Sequence, residues 1–373
     1  MQNHSPFIGV SPLQEALRDG WTLDDLSSKL GIKSKRHPKY PNLVLFVYDQ
    51  IESPKMDPIV QSCRGHILDE SNNWNHVCRP FDRFYNWGEG LQGLTPVPDF
   101  SKSVVYKKED GSLINMWFYD GKWQVSTKGS PDAGGEVGDN PFTFAELFWS
   151  VWNKKGMIEP SPHEDDLTFT FELCTLYNRV VCSQPEERII LTAVRNNVWG
   201  NELNIQECDS KEVEICESYS LGSVDDAVET FKNLRPLDAE GYVVAQYLPD
   251  GRVFRSKVKH PGYIALSHLK EGATKRNFLR LVLLGEEEET LLAFPEYTLQ
   301  INSLRSKYND LVSQVEATWE TVKNIEAQKD FALAIQEFDY RGTLFYHRRN
   351  GGSIRSHLSG MSVDNLLSLM GEK

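Results

Sequence analysis

The sequence predicts an α+β core followed by an all-α C-terminal domain, and three observations carry that prediction. From residue 42 to about 265 the chain reads as short apolar strands broken by Gly, Asn and Asp. Asp120-Gly121 and Asp250-Gly251 fall between alternating runs, a strong hairpin signal. Beyond 265 this texture stops. Ile301, Leu304, Tyr308, Leu311, Val315, Trp319, Val322 and Ile325, spaced by three and four, mark one face of a long helix over 298–326. A length of 373 residues suits two or three domains. The expected division is an N-terminal helical segment over 1–41 packed on the core, the core itself over 42–265, and the helical domain over 266–373.

In chain order, Ser11 as N-cap, Pro12 at the first helical position and Gln14 at the capping-box position announce the first helix. Thr22 with Asp25 announces a second, carrying Leu23, Leu26 and Leu30. Lys33, Lys35, Arg36, His37 and Lys39 form a basic knot that reads as a solvated loop. Strands are expected within 43–49, 66–70, 112–129, 167–173, 188–197 and 241–259. A helix from Thr143 to Trp152 shows a stripe of Phe144, Leu147, Phe148 and Val151. The Gly/Asp-rich stretch 130–140 reads as a loop, and Glu286 to Glu289 as an acidic turn or helix start. Mixed antiparallel sheets with inserted helices give the α+β class.

Hydrophobic residues at 40% and aromatics at 11% exclude a disordered or fibrous chain. A net charge of −13 and a pI near 5.3 argue against coating nucleic acid by bulk charge, but not against a local basic groove. No apolar run approaches the roughly 18 residues of a membrane span. The N-terminus lacks the basic and apolar regions of a secretory signal, so a cytoplasmic protein is expected. Cys63, Cys78, Cys174, Cys182, Cys208 and Cys216 form no CxxC pair and have no His at zinc-finger spacing. They read as buried thiols in a reducing compartment.

The stretch Lys107-Lys108-Glu109-Asp110-Gly111-Ser112-Leu113 ends one strand and precedes another. Alone, a lysine followed by Asp-Gly is a charged turn. Downstream, Glu172 sits among apolar residues of a strand, and Glu240-Gly241 opens another. Lys257 and Lys259 share a face because strand side chains alternate with period two. Two such neighbouring cations repel unless an anion lies between them, and a polyphosphate is the natural anion.

The order Lys108-x-Asp110-Gly111, Glu172, Glu240-Gly241, Lys257-x-Lys259 resembles the motif series of covalent nucleotidyltransferases, the nucleic-acid ligases and mRNA capping enzymes. Cys63-Arg64-Gly65, Arg79-Pro80 with Phe84-Tyr85-Asn86, Lys128-Gly129-Ser130, Phe171-Glu172 and Asn178-Arg179-Val180-Val181 narrow it to ATP-dependent RNA ligases similar to the tRNA-repairing enzymes of T-even phages. The resemblance covers about 43–268 and is faint over the helical part. It implies a nucleotidyltransferase core, an ATP-grasp-like adenylyltransferase fold of antiparallel sheets with helices. It also implies ATP and magnesium, with manganese as an alternative, and RNA carrying 5′-phosphate and 3′-hydroxyl ends, nicked tRNA being one candidate. No membrane and no obligate protein partner are implied.

The same resemblance assigns roles. Lys108 attacks the α-phosphate and carries AMP, which passes to the RNA 5′ end before a 3′-hydroxyl seals the strand. Glu240 is catalytic and helps hold the metal, Glu172 accepts from the ribose, and Lys257 and Lys259 act at the α-phosphate. Arg64, Glu109, Asp110, Gly111, Lys128 and Phe171 complete the nucleotide site, with Gly111 tolerating close approach of the nucleotide. A lysine is mostly protonated at neutral pH. Arg64, Lys128, Lys257 and Lys259 are therefore expected to disfavour the Lys108 ammonium and free the amine. Lys107 is the rival nucleophile, expected to face the other side of the strand. Arg83, Tyr85, the loop after Ser130 and Pro261-Gly262 before Tyr263 depart from the family pattern. A GTP-dependent capping-type transferase and a non-catalytic RNA-end-binding module remain as alternatives. The lack of a β-rich barrel after Lys259 favours RNA repair over DNA ligation or capping. Basic clusters at 33–39, Lys275-Arg276 with Arg280, and His347-Arg348-Arg349 with Arg355 are candidate RNA contacts.

Overall fold

The computed structural model describes residues 8–50, 52–87, 98–182, 184–207, 213–235, 238–269, 273–284, 291, 295–351 and 353–372. Its contacts divide it into unit 1, Met1–His260, and unit 2, Pro261–Lys373.

Unit 1 begins with α1 (Pro12–Arg18) and α2 (Leu23–Leu30), and both start where their caps stand. Ser11 accepts from the Gln14 N–H, and Thr22 and Asp25 cap each other reciprocally. Gln14 does not return to its cap, because its amide donates to Trp74 O at 2.9 Å. Leu13, Leu17, Leu26 and Leu30 pack with Val44, Phe46 and Leu68 of a four-stranded antiparallel sheet. Its strands, in spatial order, are β1 (Ile32–Arg36), β2 (Leu43–Tyr48), β3 (Arg64–Asp69) and β4 (Asn75–Cys78). The first half of the basic knot is thus an edge strand and not a loop. Ile32 is buried in the core, while Lys33, Lys35 and Arg36 are held by Asp49, Gly129 O and Glu70, each at 2.7 Å.

A six-stranded sheet runs β11 (Glu202–Leu203), β10 (Arg188–Asn196), β9 (Leu167–Cys174), β7 (Ser112–Tyr119) and β8 (Lys122–Thr127), with β12 (Glu214–Ile215) parallel to β10. A five-stranded sheet runs β13 (Ser218–Tyr219), β6 (Ser103–Lys108), β14 (Gly241–Tyr247), β15 (Val253–Lys259) and β5 (Tyr85–Asn86). Asp120 and Gly121, at φ 52° and 73°, make the two-residue turn between β7 and β8. Asp250-Gly251 lies instead in a longer connection over 248–252.

Helix α4 (Phe144–Lys154) starts at a Thr143–Glu146 capping box and buries Leu147, Phe148, Val151 and Trp152 against Ile114, Phe171 and Leu173. Helix α5 (Val224–Phe231) covers the five-stranded sheet through Ala227 and Phe231, against Val105, Tyr242, Val244 and Val258. A buried polar cluster adds cross-links in this unit. Arg195 donates to Asp82 at 2.9 Å, Arg79 to Gly9 O at 2.8 Å, and His76 meets Ser11 Oγ at 2.9 Å. Burial drives the pKa of His66 down to about 3 and that of His76 well below its ordinary value.

In unit 2 the longer elements described are helices: α6 (Pro261–Leu269), α7 (Lys275–Leu284), α8 (Thr298–Val322), α9 (Gln328–Ile335), α10 (Arg341–Asn350), α11 (Ile354–Ser359) and α12 (Val363–Leu369). Along α8, Ile301, Leu304, Tyr308, Leu311, Val315 and Val322 are buried as their spacing requires. The helix ends before Ile325. Cys208 and Glu286 to Glu289 lie outside the described residues, and the other five cysteines are free and buried. No described helix is long and apolar enough to cross a membrane.

Candidate active site

Strand register builds the site. β14 lies between β6 and β15, so Gly241 faces Lys108 on one side and Lys259 on the other, and Val243 faces Lys257. Cross-strand partners share a face, which gathers the three lysines on one side of the five-stranded sheet. Gly241 is required there, because a Cβ would lie 2.2 Å from Val258 O. This face and the Leu113, Glu172 and Thr192 positions of the six-stranded sheet enclose a cavity of about 320 Å³.

Glu240, 5% exposed, organises the cations. It accepts from Lys108 Nζ at 2.8 Å and meets Lys259 Nζ at 3.3 Å. Burial favours the neutral Lys108 amine, but Glu240, Glu172 and Asp110 outweigh it and hold the pKa above its ordinary value. The effect of crowding expected at Lys108 falls on Lys257 instead. Lys257 makes no ion pair among the described residues and stacks on Phe84 at 4.6 Å. Burial, together with Arg64, Lys108 and Lys259, drives its pKa well below that of an ordinary lysine. The Lys107 ammonium diverges from that of Lys108 toward Glu109 at 3.5 Å, although it still lines the cavity. Glu109 also meets Arg188 at 3.5 Å.

The turn after Lys108 is tied down from within. Asp110 accepts from the Val181 and Cys182 N–H groups at 2.7 and 2.5 Å, and Gln184 donates to its carbonyl at 2.6 Å. Asp110 therefore lines only an adjoining cleft of about 180 Å³. The close approach that requires Gly111 is to the protein itself, since a Cβ there would lie 2.3 Å from Leu173 O. The Gly111 N–H donates to Glu172 at 3.1 Å. Burial and Glu240 outweigh Lys108 and Arg64 at Glu172 and raise its pKa to about 7.

Arg64 lies 4.5 Å from the Phe81 ring, and one of its Nη atoms is buried without a hydrogen-bond partner among the described residues. It is poised for an anion. Lys128 does not line the cavity and stands 4.2 Å over the Tyr48 ring, which Arg83 approaches at 3.9 Å. Burial opposes ionisation of Tyr48, yet Arg64, Lys128 and Arg83 lower its pKa. Phe171 corrects the expected nucleotide contact. It is 1% exposed and packs on Phe148 and Trp152, because it alternates with Glu172 and must face the other side of β9.

Sequence reasoning missed several wall residues. Arg255 follows the same period-two pattern as Lys257 and Lys259, pairs with Glu202 at 2.6 Å, and was findable on that ground. Thr192 lines the cavity at a register shift between Leu191 and Ala193, a bulge with no sequence mark. Cys216 sits on a strap, residues 214–219, that passes from β12 beside β10 to β13 beside β6. Its N–H donates to Leu191 O at 3.1 Å, its thiol to Lys107 O at 3.0 Å, and the Lys107 N–H to Glu217 O at 2.8 Å.

The RNA ligase family model matches residues 62–263, just over half the chain. The chain is 26% identical over 362 residues to an RNA ligase of Rhodothermus phage RM378, covering 78% of this chain and 82% of the phage protein. It is 29% identical over 286 residues to a protein of Autographa californica nuclear polyhedrosis virus described as a bifunctional polynucleotide kinase/RNA ligase. That match covers 73% of this chain but 40% of the viral protein, so the chain spans less than half of that relative. A solved archaeal ATP-dependent RNA ligase aligns with a TM-score of 0.48 and 11% identity, over 87% of this chain and 89% of that one. With Arg64, Lys108, Glu172, Glu240, Lys257 and Lys259 all inside the matched segment, the chain belongs to the RNA ligase family.

Proposed function

We propose that the protein is an ATP-dependent ligase joining RNA 5′-phosphate and 3′-hydroxyl ends through AMP carried on Lys108. The observation that carries this reading is the meeting of Lys108, Lys257, Lys259, Glu172 and Glu240 in one cavity, with Lys108 Nζ fixed 2.8 Å from Glu240. Lys108 first gives up a proton to solvent, leaving its ion pair with Glu240. Its Nζ then bonds to the α-phosphorus of ATP as the α–β anhydride breaks and pyrophosphate leaves. An oxygen of the RNA 5′-phosphate next attacks that phosphorus, the P–N bond breaks, and the lysine is reprotonated. The 3′-hydroxyl finally attacks the 5′-phosphate and expels AMP. Charge spreads over phosphate oxygens in each step, which is what Arg64, Lys257 and Lys259 suit.

Glu172 is the acceptor for a ribose hydroxyl, while Glu109, Asp110 and Gly111 hold the nucleophile's turn. Lys128 belongs to the cationic wall around Tyr48. Among the described residues no group of three or more potential ligands is arranged to hold a metal. Magnesium or manganese fits nonetheless, because magnesium binds one or two carboxylates and takes its other ligands from water and substrate phosphates. Glu240 would hold it, and the ion would offset phosphate charge. We take residues 1–260 as the adenylylating part and nicked tRNA as one RNA that offers both ends.

Incubation with α-labelled ATP and magnesium, a denaturing gel, and a chase with 5′-phosphorylated RNA test this. Label should stay on the protein, chase onto RNA and vanish in Lys108→Ala. Labelling by GTP alone would favour the capping reaction. No label with either, once bound AMP has been stripped, would leave a binding module.

A further inference from the structure

We infer that the Glu109 side chain selects adenine over guanine by accepting a hydrogen bond from the exocyclic amine of the base. The inference rests on the reading that ATP loads AMP onto Lys108. Strand register polarises the cavity. Across β6, β14 and β15, Lys108, Gly241 and Lys259 form one row, and Tyr106, Val243 and Lys257 form the next. Lys257 and Lys259 therefore lie on the β15 side, where Phe84 stacks with both Lys257 and Arg64. The opposite side is bounded by the strap, whose Ser218 pairs with Tyr106, and it is lined by Tyr106, Thr192 and Cys216. A triphosphate suits the cationic side. With the α-phosphorus at Lys108 and the ribose at Glu172, the base falls on the strap side. Tyr106 and Val243 of one sheet and Leu113 and Thr192 of the other would enclose it.

At this end Glu109 is short of a donor. It lines the cavity and is 7% exposed, and its Oε1 is buried with no hydrogen-bond partner among the described residues. Arg188 meets Oε1, and Lys107 meets Oε2, only at 3.5 Å, beyond hydrogen-bond length. The Arg188 Nε donates to Glu214 instead, at 2.9 Å. The wall cannot make up the lack, because the Cys216 thiol is committed to Lys107 O and the Thr192 hydroxyl to Thr170 O. A buried carboxylate oxygen left without a donor is costly, so the donor is expected to arrive with the ligand. Adenine brings an N–H at C6. Guanine brings an oxygen there, and two acceptors face to face repel. Guanine could offer its N1–H and 2-amino pair only to both carboxylate oxygens at once, and Oε2 already faces Lys107.

The test is covalent labelling of the full chain, stripped of bound AMP, at subsaturating nucleotide. Three α-labelled triphosphates are compared: ATP, GTP and purine riboside triphosphate, whose base carries no exocyclic group. Wild type should label with ATP about tenfold or more faster than with purine riboside triphosphate, as a hydrogen bond to a charged acceptor allows. GTP should be slower still. Glu109→Met keeps the bulk and removes the acceptor, so the ratio of ATP to purine riboside triphosphate should fall close to one. Glu109→Gln can turn an amide N–H toward the guanine oxygen, so its ratio of GTP to ATP should rise. A role confined to the shape of the turn would slow all three nucleotides alike and leave both ratios as in wild type, which would overturn the proposal. A wild type that uses purine riboside triphosphate or GTP as readily as ATP would overturn it too. Absence of covalent label from every nucleotide would instead defeat the reading of Lys108. Equilibrium binding of the same triphosphates to the same variants would then give the ratios that decide the role of Glu109.

Discussion

In the proposed reaction two requirements conflict at Lys108: the side chain must be held in place before ATP arrives, yet only the neutral amine attacks phosphorus. Burial pushes toward the amine, but Glu240, Glu172 and Asp110 push harder toward the ammonium, so the resting side chain is charged. Labelling at saturating ATP and magnesium should therefore rise about tenfold per unit from pH 6 to 8. A flat profile would contradict a protonated resting state. Lys107→Ala should retain labelling, since its ammonium serves Glu109. Loss of label in Lys107→Ala but not in Lys108→Ala would reverse the assignment.

Glu172 gives a residue-level prediction of opposite character. Its folded pKa of about 7 lies above that of an unfolded carboxylate, so on raising the pH the unfolded chain ionises first. Folding stability falls between about pH 4.5 and 7, and the full penalty persists above 7. Glu172→Gln keeps the acceptor for the Gly111 N–H and removes the penalty. The variant should be more stable than wild type at pH 8, by of order 2 kcal/mol, with the gap closing toward pH 5. Thermal unfolding of ligand-free protein at both pH values measures it.

At the scale of elements, the turn joining β6 to β7 is packed against β9 with no room for a methyl group. Gly111→Ala should push these strands apart, abolish labelling and cost about 3 kcal/mol by urea denaturation. How far such elements were legible depends on whether their signal was local. The Thr143–Glu146 box, the Asp120-Gly121 turn and the pleat that aligns Lys257 with Lys259 are set by neighbours in sequence, and each could be read. β1 could not, since only Ile32 is buried and its basic residues look like loop. β12 and β13 are two-residue strands that exist only through pairing with distant partners. Phe171 was misassigned although the period of β9 already turned it away from Glu172. The charge state of Lys108 was beyond reach because it depends on Glu240, 132 positions away.

At the scale of the whole molecule, acid should act on the two units unequally. His66 and His76 are buried and neutral in unit 1, with folded pKa values far below that of an exposed histidine. Below about pH 6.5 the unfolded chain takes up protons that the folded one refuses, so stability is lost as the pH falls. The loss should be about 3 kcal/mol for His66 by pH 4, with a further loss of the same sign from His76. In unit 2, burial and His357 lower the pKa of the less buried His347, so a smaller effect is expected there. On titration from pH 7 to 4, helical circular dichroism should outlast the fluorescence change of the unit 1 tryptophans. Simultaneous loss would show that the buried histidines do not set acid stability.

The strap over 214–219 has a kinetic consequence. It is bonded to β10 through the Cys216 N–H and to β6 through the Lys107 N–H, so the two sheets cannot part without breaking the strap's hold on one of them. Amides at sheet margins ordinarily exchange with solvent deuterons through small local openings. Here the Lys107 and Cys216 amides should exchange as slowly as the strand interior, marking the floor of the cavity as part of the last region to open.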